Sequence, residues 1–281
     1  MRIKHITVTK LFGVFDHSIP VNMDDRITII YGPNGLGKTL TLSLVNELFN
    51  PGFGDFFRIP FDEVSVDLDD DGTISVKKIK TADNKDRLIF EYDKPDSMIK
   101  TFQFDNITEK EANEPDWLSE LKDSVHISFI HTERLRGFTG DDWQEIERTL
   151  VENFDKNKNK LDILVRIINS RFFHKRLDIS KQEGIVITTS NGMTLDPDML
   201  SSGEQHVVVL LHELLFRVEP DSLILIDEPE LSLHILWQQQ FLRDLQEIIC
   251  LAGFDVLIAT HSPQIIHDRW DLAVELKDSR S

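Results

Sequence analysis

A glycine-rich segment at Gly32–Thr39 constrains the fold of this chain more than any other feature of its sequence. The segment follows an apolar, β-branched strand pattern at 27–31 and precedes a helical pattern at 40–49. It fits the spacing G-x4-G-K-[ST], in which glycines turn successive backbone N–H groups toward phosphate oxygens at a helix N-terminus. Because strand and helix flank the loop correctly, the sequence predicts a phosphate-binding loop on an α/β sheet rather than a flexible surface loop.

The residues of this loop have distinct expected roles. Lys38 is expected to reach the β- and γ-phosphates of a nucleotide, and the Thr39 hydroxyl is expected to bind Mg²⁺. The other residues predicted to surround the phosphates are Gly32, Pro33, Asn34, Gly35, Leu36 and Gly37. The loop therefore predicts a nucleotide with β- and γ-phosphates, together with Mg²⁺, as its ligands.

A second segment, at 223–228, has the composition of a nucleotide site. Four apolar residues end in Asp227 and Glu228, which suits a strand buried on both faces with its carboxyl end beside the phosphate loop. Asp227 is predicted to bind Mg²⁺ directly or through water, and Glu228 to act as the general base for the attacking water. A surface strand end with two acids is the alternative, and a second nucleotide motif in the same chain disfavours it.

A third segment, at 200–205, precedes an apolar helical pattern at 207–216. Ser201, Ser202 and Gly203 at a helix N-terminus predict an anion site built from hydroxyl and backbone donors. A simple helix cap explains part of this pattern but needs only one of these residues.

Two further predicted strands end in basic residues. The strand at 256–260 is followed by His261, whose imidazole is predicted to contact the γ-phosphate. The strand at 125–130 precedes Arg134, which either faces phosphate or pairs with a surface carboxylate. A lone histidine at a strand end is more often a structural residue, and this is the alternative for His261.

Charge limits what the chain can bind by itself. Its 281 residues carry a formal charge of −18, with a pI of about 4.9. Such a surface repels nucleic acid overall, so a nucleic-acid contact needs a local basic patch or a partner. The residues that form the best candidate patch are Lys156, Lys158, Lys160, Arg166, Arg171, Lys175 and Arg176. A solvated helix face is the alternative interpretation.

The sequence contains no recognisable membrane span or signal peptide, and this predicts the compartment of the protein. No apolar run approaches the length of a membrane span, and the first residues have no signal-peptide pattern, so a cytoplasmic protein without membrane contact is expected. The single cysteine, Cys250, excludes disulfides within the chain and is predicted to be a buried thiol.

The four segments together resemble a known family. Gly32–Thr39, 200–205, 226–229 and 260–262 are similar, in this order, to the Walker A, signature, Walker B and switch-histidine motifs of ABC-type ATPase heads. The resemblance covers essentially the whole chain.

Two longer strings narrow the resemblance. Glu-Pro-Glu-Leu-Ser-Leu-His at 228–234 and Ala-Thr-His-Ser-Pro-Gln at 259–264 resemble the non-transporter branch. That branch includes SMC and recombination ATPases, OLD nucleases and Septu-type antiviral ATPases. The usual aspartate of the first string is His234 here, as in the OLD-like branch.

The resemblance implies an α/β P-loop NTPase, an ABC ATPase head with an antiparallel β subdomain and a helical lobe. One domain would span 1–281, with lobe I at about 1–104 plus 206–281 and the helical, signature-bearing lobe at about 105–205. It also implies a homodimer around ATP, with higher oligomers open. Ser201, Ser202 and Gly203 of one subunit would close on the γ-phosphate bound by the other, and Ser232, Leu233 and His234 would cross the interface.

Length favours a bare ATPase head. About 160 residues separate Lys38 from Ser201, too few for long coiled coils, and about twenty follow His261, too few for a TOPRIM nuclease. The expected function is an ATP-binding and hydrolysing switch that controls a separate nuclease effector, of HNH type by resemblance, in bacterial anti-phage defence. DNA is a candidate ligand of that complex. The alternative is a DNA-repair or recombination ATPase that binds DNA directly, and a transporter subunit is a weaker third.

Overall fold

The computed structural model describes residues 1–105, 114–131, 140–231, 233 and 235–277. The chain forms two compact units. Unit 1 comprises Met1–Ile130, Asp221–Glu228 and Phe254–Ser281, and unit 2 comprises His131–Pro220 and Pro229–Gly253. The segments 206–220 and 229–253 thus lie in the unit of the signature segment, whereas the expected lobe bounds put them in lobe I. Those bounds stay a prediction.

Unit 1 contains a five-stranded sheet that positions the phosphate loop. The strands are β3 (Ile27–Tyr31), β8 (Ile127–His131), β12 (Leu223–Asp227), β13 (Asp255–Thr260) and β14 (Ala273–Glu275), in the order β14-β3-β13-β12-β8. β12, β13, β3 and β14 pair in parallel. β13 is buried along its whole length, as the apolar sequences of parallel strands predict. Helix α1 (Lys38–Phe49) begins with the last two residues of the loop segment.

A six-stranded antiparallel sheet forms the rest of the core of unit 1. Its strands are β1 (Ile3–Leu11), β2 (Phe15–Pro20), β4 (Glu63–Leu68), β5 (Thr73–Lys80), β6 (Asp86–Asp93) and β7 (Lys100–Phe104), in the order β2-β1-β4-β5-β6-β7. In β4, Val64, Val66 and Leu68 are buried and alternate with partly exposed residues. The antiparallel β subdomain implied by the family resemblance is thereby confirmed. Unit 1 also contains the short helices α2 (Gly54–Arg58) and α8 (Pro263–Ile266), helix α3 (Asp116–Ser124) and a 3-10 helix (Trp270–Leu272).

Unit 2 combines helices with a small antiparallel sheet. The helices are α4 (Gly140–Glu152), α5 (Lys158–Arg171), α6 (Ser202–His212), a π-helical turn (Glu213–Arg217) and α7 (Ile235–Ala252). The sheet, in the order β11-β10-β9, contains β9 (Lys175–Ser180), β10 (Gly184–Thr189) and β11 (Thr194–Leu195). The sequence pattern predicts that residues 141–177 are the most helical part of the chain, which is wrong after Arg171, where α5 ends. Residues 175–177 form β9, because pairing with β10 overrides their local preference.

One expectation about α7 is also wrong. Cys250 is exposed rather than buried. The buried face of α7 carries Leu245, Ile248 and Ile249, and the residue after Ile249 is turned about 100° away from that face. In the described part of the chain, no helix is long and apolar enough to cross a bilayer.

Candidate nucleotide site

The predicted site residues of unit 1 converge because three neighbouring parallel strands end at the same level. Asp227 at the end of β12 is in register with Ala259 of β13, and Thr260 of β13 is in register with Tyr31 of β3. The segments that follow these strands therefore leave the same edge of the sheet. In open α/β sheets this edge is where ligands bind.

Glycines in the phosphate loop allow its backbone to lie close to other segments of the same chain. A Cβ atom at Gly37, whose φ is +79°, would lie 2.4 Å from Cδ2 of buried Leu11. At Gly32, whose φ is +153°, a Cβ atom would lie 2.9 Å from the carbonyl oxygen of Leu276. Gly35 has a φ of +92° with open space around it. All three positions thus favour glycine because their φ angles are positive. Gly32 and Gly37 also leave no room for a Cβ atom.

Lys38 spans the interior of the loop. Its Nζ donates to the carbonyl oxygens of Gly32 at 2.9 Å and of Pro33 at 3.2 Å, and the residue is only 5% exposed. These neutral acceptors hold the ammonium inside the loop that is predicted to bind phosphate. A phosphate oxygen is a stronger partner for an ammonium than a carbonyl, so a triphosphate can replace these hydrogen bonds.

Thr39 and Asp227 form a pair of hard oxygen ligands. The Thr39 hydroxyl donates to Oδ1 of Asp227 at 3.1 Å. Mg²⁺ binds through one or two protein oxygens together with phosphate oxygens and water, and this pair supplies that donor set. The residues present therefore fit ATP with Mg²⁺.

Glu228 and His261 lie side by side after β12 and β13. Nδ1 of His261 is 3.4 Å from Oε1 of Glu228, and both side chains are partly exposed. The N–H of Glu228 donates to Ala259 at 2.8 Å, and its φ is +45°, which is uncommon for a residue other than glycine. Such backbone strain is concentrated at functional sites. The Glu228 carboxylate is thus partly open to solvent beside the His261 ring.

A histidine in β2, which no sequence motif singles out, forms a hydrogen bond to the phosphate loop. His17 is 2% exposed, and its Nε2–H donates to the carbonyl oxygen of Leu36 at 2.8 Å. Its ring stacks on Phe15 with centroids 5.9 Å apart. Buried and exposed residues alternate along β2, and this pattern places His17 on the buried face. The sequence does not indicate that Leu36 is its partner.

Phe12 borders the end of the phosphate loop. Its Cε2 lies 3.5 Å from the position of a Cβ atom on Gly37, and the residue is 43% exposed. It meets Phe15 edge to face at 6.4 Å. The sequence leaves open whether these aromatic residues rest near a nucleotide base or are ordinary core residues. The exposure of Phe12 favours the first interpretation, which stays a prediction.

The signature segment lies in unit 2 and starts helix α6 with a capping box. The Ser201 N–H and hydroxyl both donate to Oε2 of Glu204, at 2.8 and 2.9 Å, and Ser201 Oγ accepts from the Glu204 N–H at 3.4 Å. Lys175 donates to both oxygens of Glu204, at 2.7 and 3.0 Å. Ser202 is exposed at the helix start. The donors of Ser201 are thus directed at Glu204.

The Glu204 carboxyl is ionised in this arrangement. Its burial acts to raise its pKa, but hydrogen bonds from Lys175 and Ser201 act in the opposite direction and outweigh it. The pKa therefore lies below its usual value.

The basic cluster at 156–176 does not form a patch of free charge. Five of its seven residues hold a partner. Lys160 donates to a carbonyl, and four residues pair with acids: Arg166 with Glu247, Arg171 with Asp244, Lys175 with Glu204 and Arg176 with Asp178. This arrangement favours the interpretation as a solvated, paired face over a polyanion surface.

Three predicted site residues lie outside the described part of the chain. They are Arg134, Ser232 and His234. Leu233, between the last two, is buried.

Comparison with known proteins assigns the family. A family model described as "AAA domain, putative AbiEii toxin, Type IV TA system" matches residues 27–267. The chain belongs to this family. The matched range contains every predicted site residue.

Individual relatives agree with the family assignment. The chain is 24% identical to Septu protein PtuA of Bacillus thuringiensis over 94% of its own length and 72% of that protein's. It is 30% identical to the "Retron Ec83 probable ATPase" of Escherichia coli, over 29% of its own length and 17% of that protein's. The expected resemblance to Septu-type ATPases is confirmed.

The fold is that of a P-loop NTPase of the SMC and ABC head type, as predicted. The SMC head domain of Thermotoga maritima superposes with a TM-score of 0.53 at 17% identity, over 97% of this chain and 92% of that domain. At this identity the likeness concerns the fold alone.

Proposed function

We propose that this protein is an ATPase that binds ATP with Mg²⁺ at the common edge of β3, β12 and β13. One observation carries the proposal. The Thr39–Asp227 pair and the Glu228–His261 pair lie at the ends of adjacent parallel strands, beside a glycine loop whose lysine is held by neutral acceptors.

Each residue has a defined role in this proposal. Lys38 exchanges its carbonyl partners for β- and γ-phosphate oxygens, which the backbone of the loop also binds. Thr39 and Asp227 hold Mg²⁺, which neutralises phosphate charge during transfer. Oε1 of Glu228 takes a proton from the water that attacks the γ-phosphorus, and ADP leaves with the β–γ bridging oxygen. His261 donates to the γ-phosphate and thereby senses its presence.

ATP also joins two copies of the chain in this proposal. The start of α6, with Ser201, Ser202 and Gly203, contacts the γ-phosphate bound by the other copy. Exposed Ser202 and the N-terminus of an eleven-residue helix support this anion contact. The dimer is isologous, so it contains two equivalent nucleotide sites.

The dimer acts as a switch on a separate effector, a nuclease of HNH type, in cytoplasmic anti-phage defence. Similarity to Septu protein PtuA over most of the chain supports this role. DNA is reached through the effector complex, because the net charge of −18 and the paired basic cluster disfavour direct binding.

The solution mass of Glu228→Gln with and without Mg²⁺-ATP tests the switch. The substitution keeps the binding groups and removes the base, so ATP should double the mass. The double variant Lys38→Ala/Glu228→Gln is the control and should stay at its nucleotide-free mass. A Glu228→Gln protein that binds ATP without any change of mass contradicts the sandwich dimer.

The effector is tested separately in the native host. Affinity purification of the tagged wild-type chain should recover a nuclease. Recovery of the chain alone, with and without ATP, contradicts an effector-controlling role.

A further inference from the structure

The signature segment carries a carboxylate at the place where the proposed function brings a phosphate. Oε2 of Glu204 accepts both the N–H and the hydroxyl proton of Ser201. A triphosphate that approaches Ser201 must therefore compete with an anion for the same hydroxyl proton. It must also approach the negative charge of that anion.

Lys175 is the residue that offsets this charge. It extends from the first position of β9, and its Nζ lies 2.7 Å and 3.0 Å from the two carboxylate oxygens of Glu204. The side chains are 22% and 11% exposed, so water screens the carboxylate less than it would at an open surface. The ammonium both neutralises the carboxylate and draws its electron density away from Ser201.

We infer that Lys175 is a positioning residue for ATP-driven closure, acting through Glu204 to release the Ser201 hydroxyl to the incoming phosphate. With Lys175 in place, the hydroxyl proton can rotate from Glu204 to a phosphate oxygen. Ser201 Oγ then keeps the N–H of Glu204 as its donor, so the helix cap is retained. This inference rests on the proposed ATP dimer and adds to it a residue outside the four motifs.

The inference predicts a rescue that a purely structural role does not. Lys175→Met leaves Glu204 charged and unpaired beside Ser201. In the Glu228→Gln background it should weaken ATP-dependent dimerisation by about tenfold or more, because the uncompensated charge of Glu204 then repels the incoming phosphate. Adding Glu204→Gln removes the charge and keeps an amide oxygen for Ser201, so it should restore most of the dimerisation. Lys175→Arg keeps the charge and should behave like the parent.

The experiment measures dimer affinity by sedimentation with and without Mg²⁺-ATP, and nucleotide binding by fluorescent ATP analogue titration. Lys181→Met is the matched control, since Lys181 follows β9 and forms an exposed ion pair with Asp155. It should leave both quantities unchanged, and Lys175→Met should leave nucleotide binding to the monomer unchanged.

The outcomes separate this inference from the proposed function. If Glu228→Gln does not dimerise with ATP, the proposed dimer fails and this inference fails with it. If Glu228→Gln dimerises and Lys175→Met has no effect, the inference alone is wrong. A loss that Glu204→Gln does not restore also overturns it, because Lys175 would then only stabilise the fold.

Discussion

Substitution of Gly37 by alanine tests whether the phosphate loop is fixed by its packing on β1 as well as by its own backbone. Two costs are expected. The φ of +79° disfavours any residue with a Cβ atom by about 1–2 kcal/mol. In addition, the new methyl group would lie 2.4 Å from Cδ2 of Leu11, which is fully buried, and such overpacking costs about 1–3 kcal/mol. Gly37→Ala should therefore lower the free energy of unfolding by about 2–5 kcal/mol.

Gly35→Ala is the matched control in the same loop. Gly35 has a φ of +92° but no neighbour within 4 Å, so only the backbone cost of about 1–2 kcal/mol applies. Urea denaturation followed by circular dichroism gives both free energies. The difference between the two variants, about 1–3 kcal/mol, isolates the contact with Leu11.

Leu11→Val completes the test, because valine has no Cδ atom to collide with the new methyl group. In that background, Gly37→Ala should cost no more than Gly35→Ala, which is the non-additivity expected of residues in contact. Equal costs for Gly37→Ala and Gly35→Ala in the wild-type background would refute the reasoning.

Three further predictions concern charge. Asp227→Asn should lower Mg²⁺-dependent phosphate release at least about a hundredfold by weakening Mg²⁺ binding, and release equal to wild type would contradict that role. Because the pKa of Glu204 is lowered in the folded state, its carboxylate stabilises the fold at every pH above the usual carboxyl pKa of about 4.3. This stabilisation is lost as the pH falls through the lowered pKa of the folded state. Glu204→Gln should therefore flatten the acid side of the melting-temperature profile, and an unchanged profile would contradict this. Arg171→Met should lower the free energy of unfolding by about 3–5 kcal/mol in urea denaturation, because Asp244 stays buried and loses its Arg171 partner. Arg166→Met, which breaks an exposed ion pair, should lower it by at most about 1 kcal/mol. Equal losses for the two variants would contradict this prediction.

The phosphate loop and the ends of β12 and β13 could be predicted because their signals are local. A strand at Ile27–Tyr31, the glycine turn and helix α1 at Lys38–Phe49 follow one another without interruption in the sequence. Asp227 and His261 each end an apolar run typical of a parallel strand, so their meeting at one edge follows from sheet topology.

The contacts that support these segments could not be predicted, because they join residues that are far apart in the sequence. His17 donates to Leu36 across nineteen positions, and Lys175 reaches Glu204 across twenty-nine. Neither contact leaves a periodic or compositional signal. Residues 175–177 show the same limit, since their strand depends on pairing with β10 and their local preference favours helix.

The central claim is that Glu228 is the base of an ATPase site formed at these strand ends. Steady-state phosphate release by wild type, Glu228→Gln and Glu275→Gln, at saturating Mg²⁺-ATP, tests it most directly. Glu275 ends β14 of the same sheet and serves as the matched control. Glu228→Gln should lose at least about a hundredfold in rate while still binding ATP, and Glu275→Gln should match wild type. A Glu228→Gln protein that hydrolyses ATP at the wild-type rate would contradict the account.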